Sequence, residues 1–177
     1  MPTQPDSELL VHLGLGSNLD HPCEQLQQGL RVIETRLPLR SFQCSPFYQS
    51  PPMGGMEQPD YINAVCKFHT EMTAHELLAA LRLIEDERGR QRKEHWGSRT
   101  LDIDILLMGN VVSQDKDLTI PHSGMESRDF VLVPLLDISP DIIHPVSGKP
   151  YRDSLNELLK TSPLTIQPHH EGYLQNH

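Results

Sequence analysis

The order of the periodic segments is the feature that most constrains how this chain can fold. An apolar run over residues 9–15 predicts a buried strand, and apolar residues at helical spacing over residues 22–37 predict an amphipathic helix. Two further strands are predicted over residues 39–49 and 60–68. In the first of these, Pro46 favours an edge or a bulge, because proline cannot donate a hydrogen bond to a neighbouring strand.

A second helix carries the clearest local signal in the sequence. Thr73 and Glu76 are spaced as a capping box, in which each side chain accepts a hydrogen bond from the other residue's backbone N–H. An apolar stripe follows, and Gly89 is predicted to end the helix. The next segment is an apolar strand over residues 101–107 that is interrupted by two aspartates.

These segments run in the order β-α-β-β-α-β, which is the order of an α+β ferredoxin-like sandwich. Such a fold packs two helices on one face of an antiparallel sheet, and we expect the other face to be free for ligands. Beyond this core we predict a hairpin turning at Gly109-Asn110, a helix over residues 126–138 and a short closing helix over residues 153–159. The fold by itself does not predict the chemistry.

Length and composition favour one domain over residues 1–160, followed by a flexible tail over residues 161–177. The chain has 177 residues, of which 37% are hydrophobic, and this is enough to bury a core. The tail contains prolines, histidines and amide side chains. We therefore predict that His169-His170 is a solvated pair rather than a metal site.

The composition also argues against several classes of protein. No apolar run approaches about eighteen residues, so no membrane span is expected, and the N-terminus lacks a signal-peptide pattern. The three cysteines form no C-x-x-C pair, which favours reduced thiols in the cytoplasm. A net charge of −9 argues against a general nucleic-acid-binding surface. We expect a cytoplasmic monomer that acts on small molecules.

Two carboxylates on the last predicted strand indicate a polyphosphate site. Because side chains alternate along a strand, Asp102 and Asp104 leave the same face, about 6–7 Å apart, while the isoleucines between and after them point into a core. The preceding residues 88–99 are rich in arginine. Two carboxylates can share magnesium ions, and cationic side chains can neutralise phosphates, so this combination suits a magnesium-bound triphosphate.

The common nucleotide-binding motifs are absent from the sequence. The glycine-rich stretch at residues 14–19 has Leu19 where a dinucleotide-binding turn needs its third glycine, and no P-loop motif occurs. Tyr61 and Asn63 on the third strand could contact a ligand or be ordinary surface residues, and the loop over residues 50–60 could be a lid or a connector.

Two alternatives to a nucleotide-dependent transferase remain open on the residues alone. One is a two-metal phosphohydrolase or nuclease that uses the two aspartates. The other is a nucleic-acid-binding ferredoxin-like module that uses the basic segment, which the net charge disfavours.

The sequence resembles the 6-hydroxymethyl-7,8-dihydropterin pyrophosphokinase family of folate biosynthesis. The resemblance covers roughly residues 10–160, and its most specific element is W-G-S-R-T-L-D-I-D-I-L-L at residues 96–107. It extends to LGLGSN, SPPMG, QPDYINAV, LTIPH and SRDFVLVPL in the same order. It implies a ferredoxin-like fold and a transfer of pyrophosphate from ATP to the hydroxymethyl oxygen of a reduced pterin, releasing AMP.

The resemblance also implies roles for individual residues. Asp102 and Asp104 would bind two Mg²⁺ ions that bridge the triphosphate. Arg90 and Arg99 would assist the transferring group, and a catalytic loop that closes over the site would carry Arg92, Lys93 and Trp96.

The two substrates would be held by separate groups of residues. Tyr61 and Phe130 would sandwich the pterin ring, and further pterin contacts would come from Ser50, Pro51, Met53 and Asn63. The nucleotide site would be lined by Glu85, Ile105, Thr119, His122 and Arg128. The resemblance places His122 at the nucleotide, so no general base is obvious.

Four departures from the family pattern bear on these roles. Ser50 replaces a frequent threonine and Met53 a frequent leucine, both with similar chemistry. The loop between Lys93 and Trp96 is one residue shorter than in some relatives, which affects how it closes. Asp117 stands where some relatives have a basic nucleotide contact, so ATP binding is expected either to use the adjacent lysine or to be weaker.

Overall fold

The computed structural model describes residues 7–52, 57–89 and 100–173. Six of its strands form one sheet and two form a small separate sheet. The strands are β1 (Leu9–Ser17), β2 (Leu39–Cys44), β3 (Pro46–Ser50), β4 (Tyr61–Thr70), β5 (Asp102–Met108), β6 (Ser113–Asp115), β7 (Leu118–Ile120) and β8 (Gln167–Gly172). The helices are α1 (Pro22–Arg36), α2 (Ala74–Gly89), α3 (Asp129–Ile138) and α4 (Tyr151–Thr161), with a 3₁₀ turn at Met125–Ser127 before α3.

The large sheet has the strand order β5-β1-β4-β3-β8, and β2 also pairs with β4. All of its pairings are antiparallel. The β1-α1-β2/β3-β4-α2-β5 order confirms the predicted α+β ferredoxin-like sandwich. The predicted strand over residues 39–49 is divided at Ser45, next to Pro46, and both halves pair with β4.

The two core helices form for the reasons that the sequence suggests. Pro22 starts α1, where its missing N–H costs nothing. The capping box of α2 is confirmed: the Thr73 N–H donates to Glu76 Oε1 at 2.9 Å, and the Glu76 N–H donates to Thr73 Oγ1 at 3.1 Å. These hydrogen bonds lower the pKa of Glu76.

Helices α1 and α2 cover one face of the sheet and bury the main core. The alternation predicted for β4 is confirmed, because its residues Ile62, Ala64, Cys66 and Phe68 all lie in this core. Phe42 of β2 stacks on Phe68 with ring centroids 6.3 Å apart. Ile103 and Ile105 of β5 also point into this core, as expected from strand alternation.

The opposite face is covered over part of its area, which the sequence did not predict. A second core cluster joins α3, α4 and the 3₁₀ turn to this face, and its fully buried members include Leu106, Leu132, Leu135 and Tyr151. Because these helices cover the rest of this face, the expectation of an open face is correct only at the end of the sheet that lies beyond α3. Within the sheet, the pairing register of β1 and β5 shifts between His12 and Leu13.

The segment after β5 also differs from its prediction. Gly109-Asn110 does not join two paired strands; Gly109 adopts φ 52° and its N–H donates to the carbonyl of Leu10. The hairpin forms later, between β6 and β7. The predicted helix over residues 126–138 becomes a 3₁₀ turn followed by α3, and α4 is longer than the predicted 153–159.

The prediction of a flexible tail over residues 161–177 is wrong for residues 167–172, which form β8 and pair with β3. Ile166 is buried, and the Tyr173 ring packs edge-on against Phe42 with centroids 5.7 Å apart. Thr165 donates to both oxygens of the buried Asp129 carboxylate at the start of α3. Burial of Ile166, packing of the Tyr173 ring and pairing with the edge of β3 therefore order this segment, although its average composition suggests disorder.

None of the helices in the described part of the chain is long and apolar enough to cross a membrane.

Candidate active site

A cavity of about 290 Å³ opens at the uncovered end of the sheet, where β1, β4 and β5 meet the start of α3. Its inner wall includes Val65, Leu106 and Val131 of the second core cluster, so the cavity ends where the C-terminal helices cover the sheet. Nine of the residues predicted for the site line it: Ser50, Pro51, Tyr61, Asn63, Asp102, Asp104, His122, Arg128 and Phe130.

The two aspartates of β5 share one face, as predicted. Asp102 lies opposite Gly16 of β1 and Asp104 lies opposite Gly14, so the neighbouring positions on β1 carry no side chains. Asp102 is half-buried and Asp104 is exposed. Both line the cavity, and their carboxylate oxygens are the hard donors that Mg²⁺ prefers.

His122 approaches the second of these carboxylates. Its Nε2 lies 3.8 Å from Asp104 Oδ2. Its Nδ1 accepts a hydrogen bond from the backbone N–H of Gly124 at 3.1 Å. The neutral ring therefore carries its proton on Nε2, the nitrogen that faces Asp104.

Within the part of the chain that the structure describes, no group of three or more His, Cys, Asp or Glu side chains is arranged to hold a metal ion. A magnesium ion at Asp102 and Asp104 would therefore need further ligands, which water and a phosphate chain supply in most magnesium sites.

The opposite part of the cavity is suited to a flat, polar-edged ligand. Asn63 is buried, and its Nδ2 donates to Ser50 Oγ at 2.7 Å, which fixes the amide. A Cβ at Gly16 would lie 3.1 Å from Asn63 Oδ1, so this close approach favours glycine. Tyr61 on β4 and Phe130 on α3 bring two aromatic rings to the same cavity, and the Arg128 guanidinium lies 6.0 Å from the Phe130 ring centroid.

A second cavity adjoins the aspartates on the α2 side. Its polar lining includes Arg82, Glu85 and Asp117 in addition to Asp102 and Asp104. Glu85 Oε2 accepts a hydrogen bond from the Ile103 N–H at 2.8 Å, which ties α2 to the start of the aspartate strand. Asp117 and Glu85 therefore add two further carboxylates to a cavity that Asp102 and Asp104 already line.

Two residues predicted for the nucleotide site line neither cavity. Ile105 is buried in the main core, and Thr119 is exposed on β7, where its hydroxyl donates to the carbonyl of Asp115. Six further predicted residues lie outside the described residues, and their roles stay predictions: Met53, Arg90, Arg92, Lys93, Trp96 and Arg99.

Sequence reasoning missed the residues that connect the cavity to its surroundings. Asn18 is buried at the end of the turn after β1, and its Nδ2 donates to Gln58 Oε1 at 3.2 Å and to the Pro59 carbonyl at 3.1 Å. Gln58 itself lines the cavity. The only available signal was the asparagine in the turn, since its partner lies 40 residues away.

The histidine pair near the C-terminus lies away from this site. His169 and His170 stack with centroids 4.4 Å apart, and His169 Nδ1 lies 3.6 Å from Cys23 Sγ. Burial raises the pKa of Cys23 to about 11, so this thiol is protonated near neutral pH.

Comparison with known proteins agrees with this arrangement. The family model of 7,8-dihydro-6-hydroxymethylpterin-pyrophosphokinase (HPPK) matches residues 12–140. The 2-amino-4-hydroxy-6-hydroxymethyldihydropteridine pyrophosphokinase of Haemophilus influenzae is 47% identical over 139 residues, which are 78% of this chain and 87% of the relative. The enzyme of the same name from Pseudomonas aeruginosa is 44% identical, over 87% of this chain and 92% of the relative.

Solved structures show the same fold. A crystal structure of wild-type HPPK-DHPS from Plasmodium falciparum with pterin and p-hydroxybenzoate is similar with a TM-score of 0.65 and 14% sequence identity. The similarity covers 86% of this chain and 42% of that chain, and at this identity it concerns the fold alone. The sequence matches extend over most of the chain and confirm the resemblance. The chain therefore belongs to the 7,8-dihydro-6-hydroxymethylpterin-pyrophosphokinase family, and its activity is the transfer of pyrophosphate from ATP to hydroxymethyldihydropterin in folate synthesis.

Proposed function

We propose that this pyrophosphate transfer is magnesium-dependent and takes place in the cavity at the uncovered end of the sheet. The observation that carries the proposal is that two carboxylates on one strand face share a cavity with two aromatic rings and a buried amide. The first group suits a metal-bound triphosphate, and the second suits a pterin.

In this proposal Asp102 and Asp104 hold two Mg²⁺ ions. When bound, these ions neutralise the triphosphate and align it for attack. The His122 Nε2–H, which lies 3.8 Å from Asp104 Oδ2, can donate to a phosphate oxygen bound beside that carboxylate. Glu85 keeps the aspartate strand in position through its hydrogen bond to the Ile103 N–H.

The pterin is placed by the opposite part of the cavity. Tyr61 and Phe130 stack on its ring. The Nδ2 of Asn63 is engaged by Ser50, so its Oδ1 can accept from an N–H group on the pterin edge. Transfer then requires that the pterin bind with its hydroxymethyl group towards the aspartates.

The chemical step follows from the products. The hydroxymethyl oxygen attacks the β-phosphorus of ATP, a new O–P bond forms, and the bond from the β-phosphorus to the oxygen shared with the α-phosphate breaks. AMP leaves with that oxygen, and the hydroxyl proton is lost to solvent. We propose that Arg128 binds the phosphates, that Arg90 and Arg99 assist the transferring group, and that Arg92, Lys93 and Trp96 belong to a catalytic loop that closes over the site. Positioning and charge neutralisation supply most of the rate.

Incubation of the protein with ATP, the hydroxymethyl-dihydropterin and Mg²⁺ tests this proposal. We expect AMP and the pterin pyrophosphate in equal amounts, no product after EDTA treatment, and full recovery when Mg²⁺ is restored. Formation of ADP would contradict pyrophosphate transfer. Full activity in EDTA would contradict the metal requirement, and release of phosphate without a pterin would favour a phosphohydrolase.

We expect that Asn63→Ala raises the KM for the pterin by about 10- to 100-fold, because the loss of a buried hydrogen bond that leaves its partner unsatisfied costs about 1–3 kcal/mol. Steady-state kinetics at saturating ATP measure this effect. Asn110→Ala, in an exposed turn, is the matched control and should leave the KM unchanged. An unchanged KM in Asn63→Ala would remove Asn63 from the pterin site.

We also propose a cytoplasmic monomer that does not bind nucleic acid. All three cysteines are free thiols, and the net charge is −9. The large apolar side chains that the described residues expose are Leu83, Val112, Ile143, Val146, Leu159 and Leu164. Light scattering after size-exclusion chromatography should give the mass of one chain, and a doubled mass would contradict the monomer.

A further inference from the structure

Gly124 lies between two residues of the proposed site and has no role in it so far. It immediately precedes the 3₁₀ turn Met125–Ser127, with His122 two residues before it and Arg128 four residues after it. Both of these neighbours line the main cavity. The short segment from His122 to Arg128 therefore places an imidazole and a guanidinium in the same cavity.

The guanidinium of Arg128 occupies the space where a side chain at position 124 would begin. A Cβ built on Gly124 would lie 2.7 Å from Arg128 Cζ and 2.9 Å from both Nε and Nη2. Real Cβ atoms essentially never approach other heavy atoms within 3.0 Å. The backbone of Gly124 is ordinary, with φ −96° and ψ −2°, so any residue could adopt it. A side chain at position 124 would therefore meet the end of the Arg128 side chain rather than a backbone restriction.

The backbone of this segment is held firmly, so a clash would be relieved by the arginine. Met125 is 1% exposed within the second core cluster. The Met125 N–H donates to the His122 carbonyl at 3.3 Å, and the Ser127 N–H donates to the Gly124 carbonyl at the same distance. Moving the guanidinium requires only rotations of a long side chain, whereas moving the backbone would disturb a buried methionine.

We propose that Gly124 is a positioning residue for the transfer reaction, because its missing side chain lets the Arg128 guanidinium lie against the segment and face the cavity. In that place the guanidinium is 6.0 Å from the Phe130 ring centroid. Through its N–H, Gly124 also orients the His122 ring towards Asp104. This inference rests on the proposed role of Arg128 in binding the phosphates of ATP.

The variant Gly124→Ala isolates the effect on the arginine, since alanine keeps the backbone N–H that holds His122. We expect the KM for ATP to rise about tenfold with a much smaller change in kcat, because a displaced guanidinium loses part of a charge-assisted hydrogen bond. The melting temperature should stay within about 2 °C of the parent protein, because no core contact is lost. Gly172→Ala is the matched control, since a Cβ there meets nothing within 4 Å.

A double-mutant cycle with Arg128→Ala tests whether Gly124 affects the KM for ATP through Arg128. If Gly124 acts through Arg128, Gly124→Ala should not raise the KM for ATP further once Arg128 has been replaced. An additive increase in the double variant, or an unchanged KM in Gly124→Ala when Arg128→Ala is impaired, would overturn the inference. An unchanged KM in Arg128→Ala alone would instead overturn the proposed phosphate-binding role of that arginine.

Discussion

Replacing Asp102 or Asp104 with asparagine is expected to lower kcat at least about a thousandfold. Asparagine keeps the shape of aspartate and one oxygen donor but removes the negative charge that attracts Mg²⁺. A thousandfold loss corresponds to about 4 kcal/mol of transition-state stabilisation, which is within the range for ions that neutralise a transferring phosphate group. Initial rates of AMP formation, measured over a range of Mg²⁺ concentrations, test the expectation.

The fold of both variants is expected to stay intact. Asp104 is exposed and Asp102 is half-buried at the edge of the cavity, so neither contributes to the two core clusters. The free energy of unfolding should therefore change by less than about 1 kcal/mol. Pterin binding, measured by isothermal titration calorimetry in the absence of ATP, should also persist, because the proposed pterin contacts lie in the opposite part of the cavity.

Asp115→Asn provides the matched control for this experiment. Asp115 is an exposed strand aspartate on β6, lies outside both cavities and faces His75 at 3.6 Å. Its replacement removes the same charge from the chain and should leave kcat unchanged. Unchanged kcat in both cavity variants would contradict the metal assignment. A large loss of folding stability would make the two aspartates structural residues.

The residue placements that the sequence predicted correctly depend on local geometry. Two residues at positions i and i+2 of any strand share a face, so the placement of Asp102 and Asp104 required only that β5 be a strand. The capping box at Thr73 and Glu76 is equally local, because its two hydrogen bonds span three residues. Family motifs then supplied the aromatic and amide residues that line the cavity.

The parts that were missed depend on contacts between distant segments. In the second core cluster, Tyr151 and Leu132 pack with Leu106, and no short pattern in the sequence predicts this packing. The hydrogen bond from Asn18 to Gln58 also joins distant segments. The composition of the last residues suggested disorder, whereas pairing with the edge of β3 makes residues 167–172 a strand.

The second core cluster has a consequence for the site, because α3 carries Phe130 into the cavity at its start and is held to the sheet at its end. There, Lys67 Nζ donates to the Ile138 carbonyl and, at 3.3 Å, to Ser139 Oγ. His12 Nε2 lies 2.8 Å from the same hydroxyl. His12 and Lys67 are cross-strand partners on β1 and β4. The end of α3 is thus held by Lys67 and by His12, a buried histidine.

His12 is expected to make the protein less stable in mild acid. It is 1% exposed, and its Nδ1 is buried with no hydrogen-bond partner. Burial, reinforced by the positive charge of Lys67, lowers the pKa of His12 from 6.5 to about 4. His12 therefore binds a proton below pH 6.5 in the unfolded chain, but only below about pH 4 in the folded protein. The contribution of His12 to the free energy of unfolding is fully present above pH 6.5 and is lost as the pH falls. At pH 5 this residue alone lowers the free energy of unfolding by about 2 kcal/mol.

Urea denaturation at pH 7.5, 6 and 5 measures this loss, and the variant His12→Gln should remove most of it, because glutamine can still bond to Ser139 but does not titrate. Glu8, Glu76 and Glu157 have lowered pKa values, so their contributions are lost only below about pH 4.5, outside this window. His75→Gln is the control, since His75 is exposed and its replacement should leave the pH dependence of stability unchanged.

If His12→Gln proves too unstable to compare, an NMR titration of the His12 ring in the parent protein tests the same expectation. A ring that titrates near pH 6.5 in the folded protein would show that the imidazolium is tolerated at this site, and the acid sensitivity would then have to come from another group.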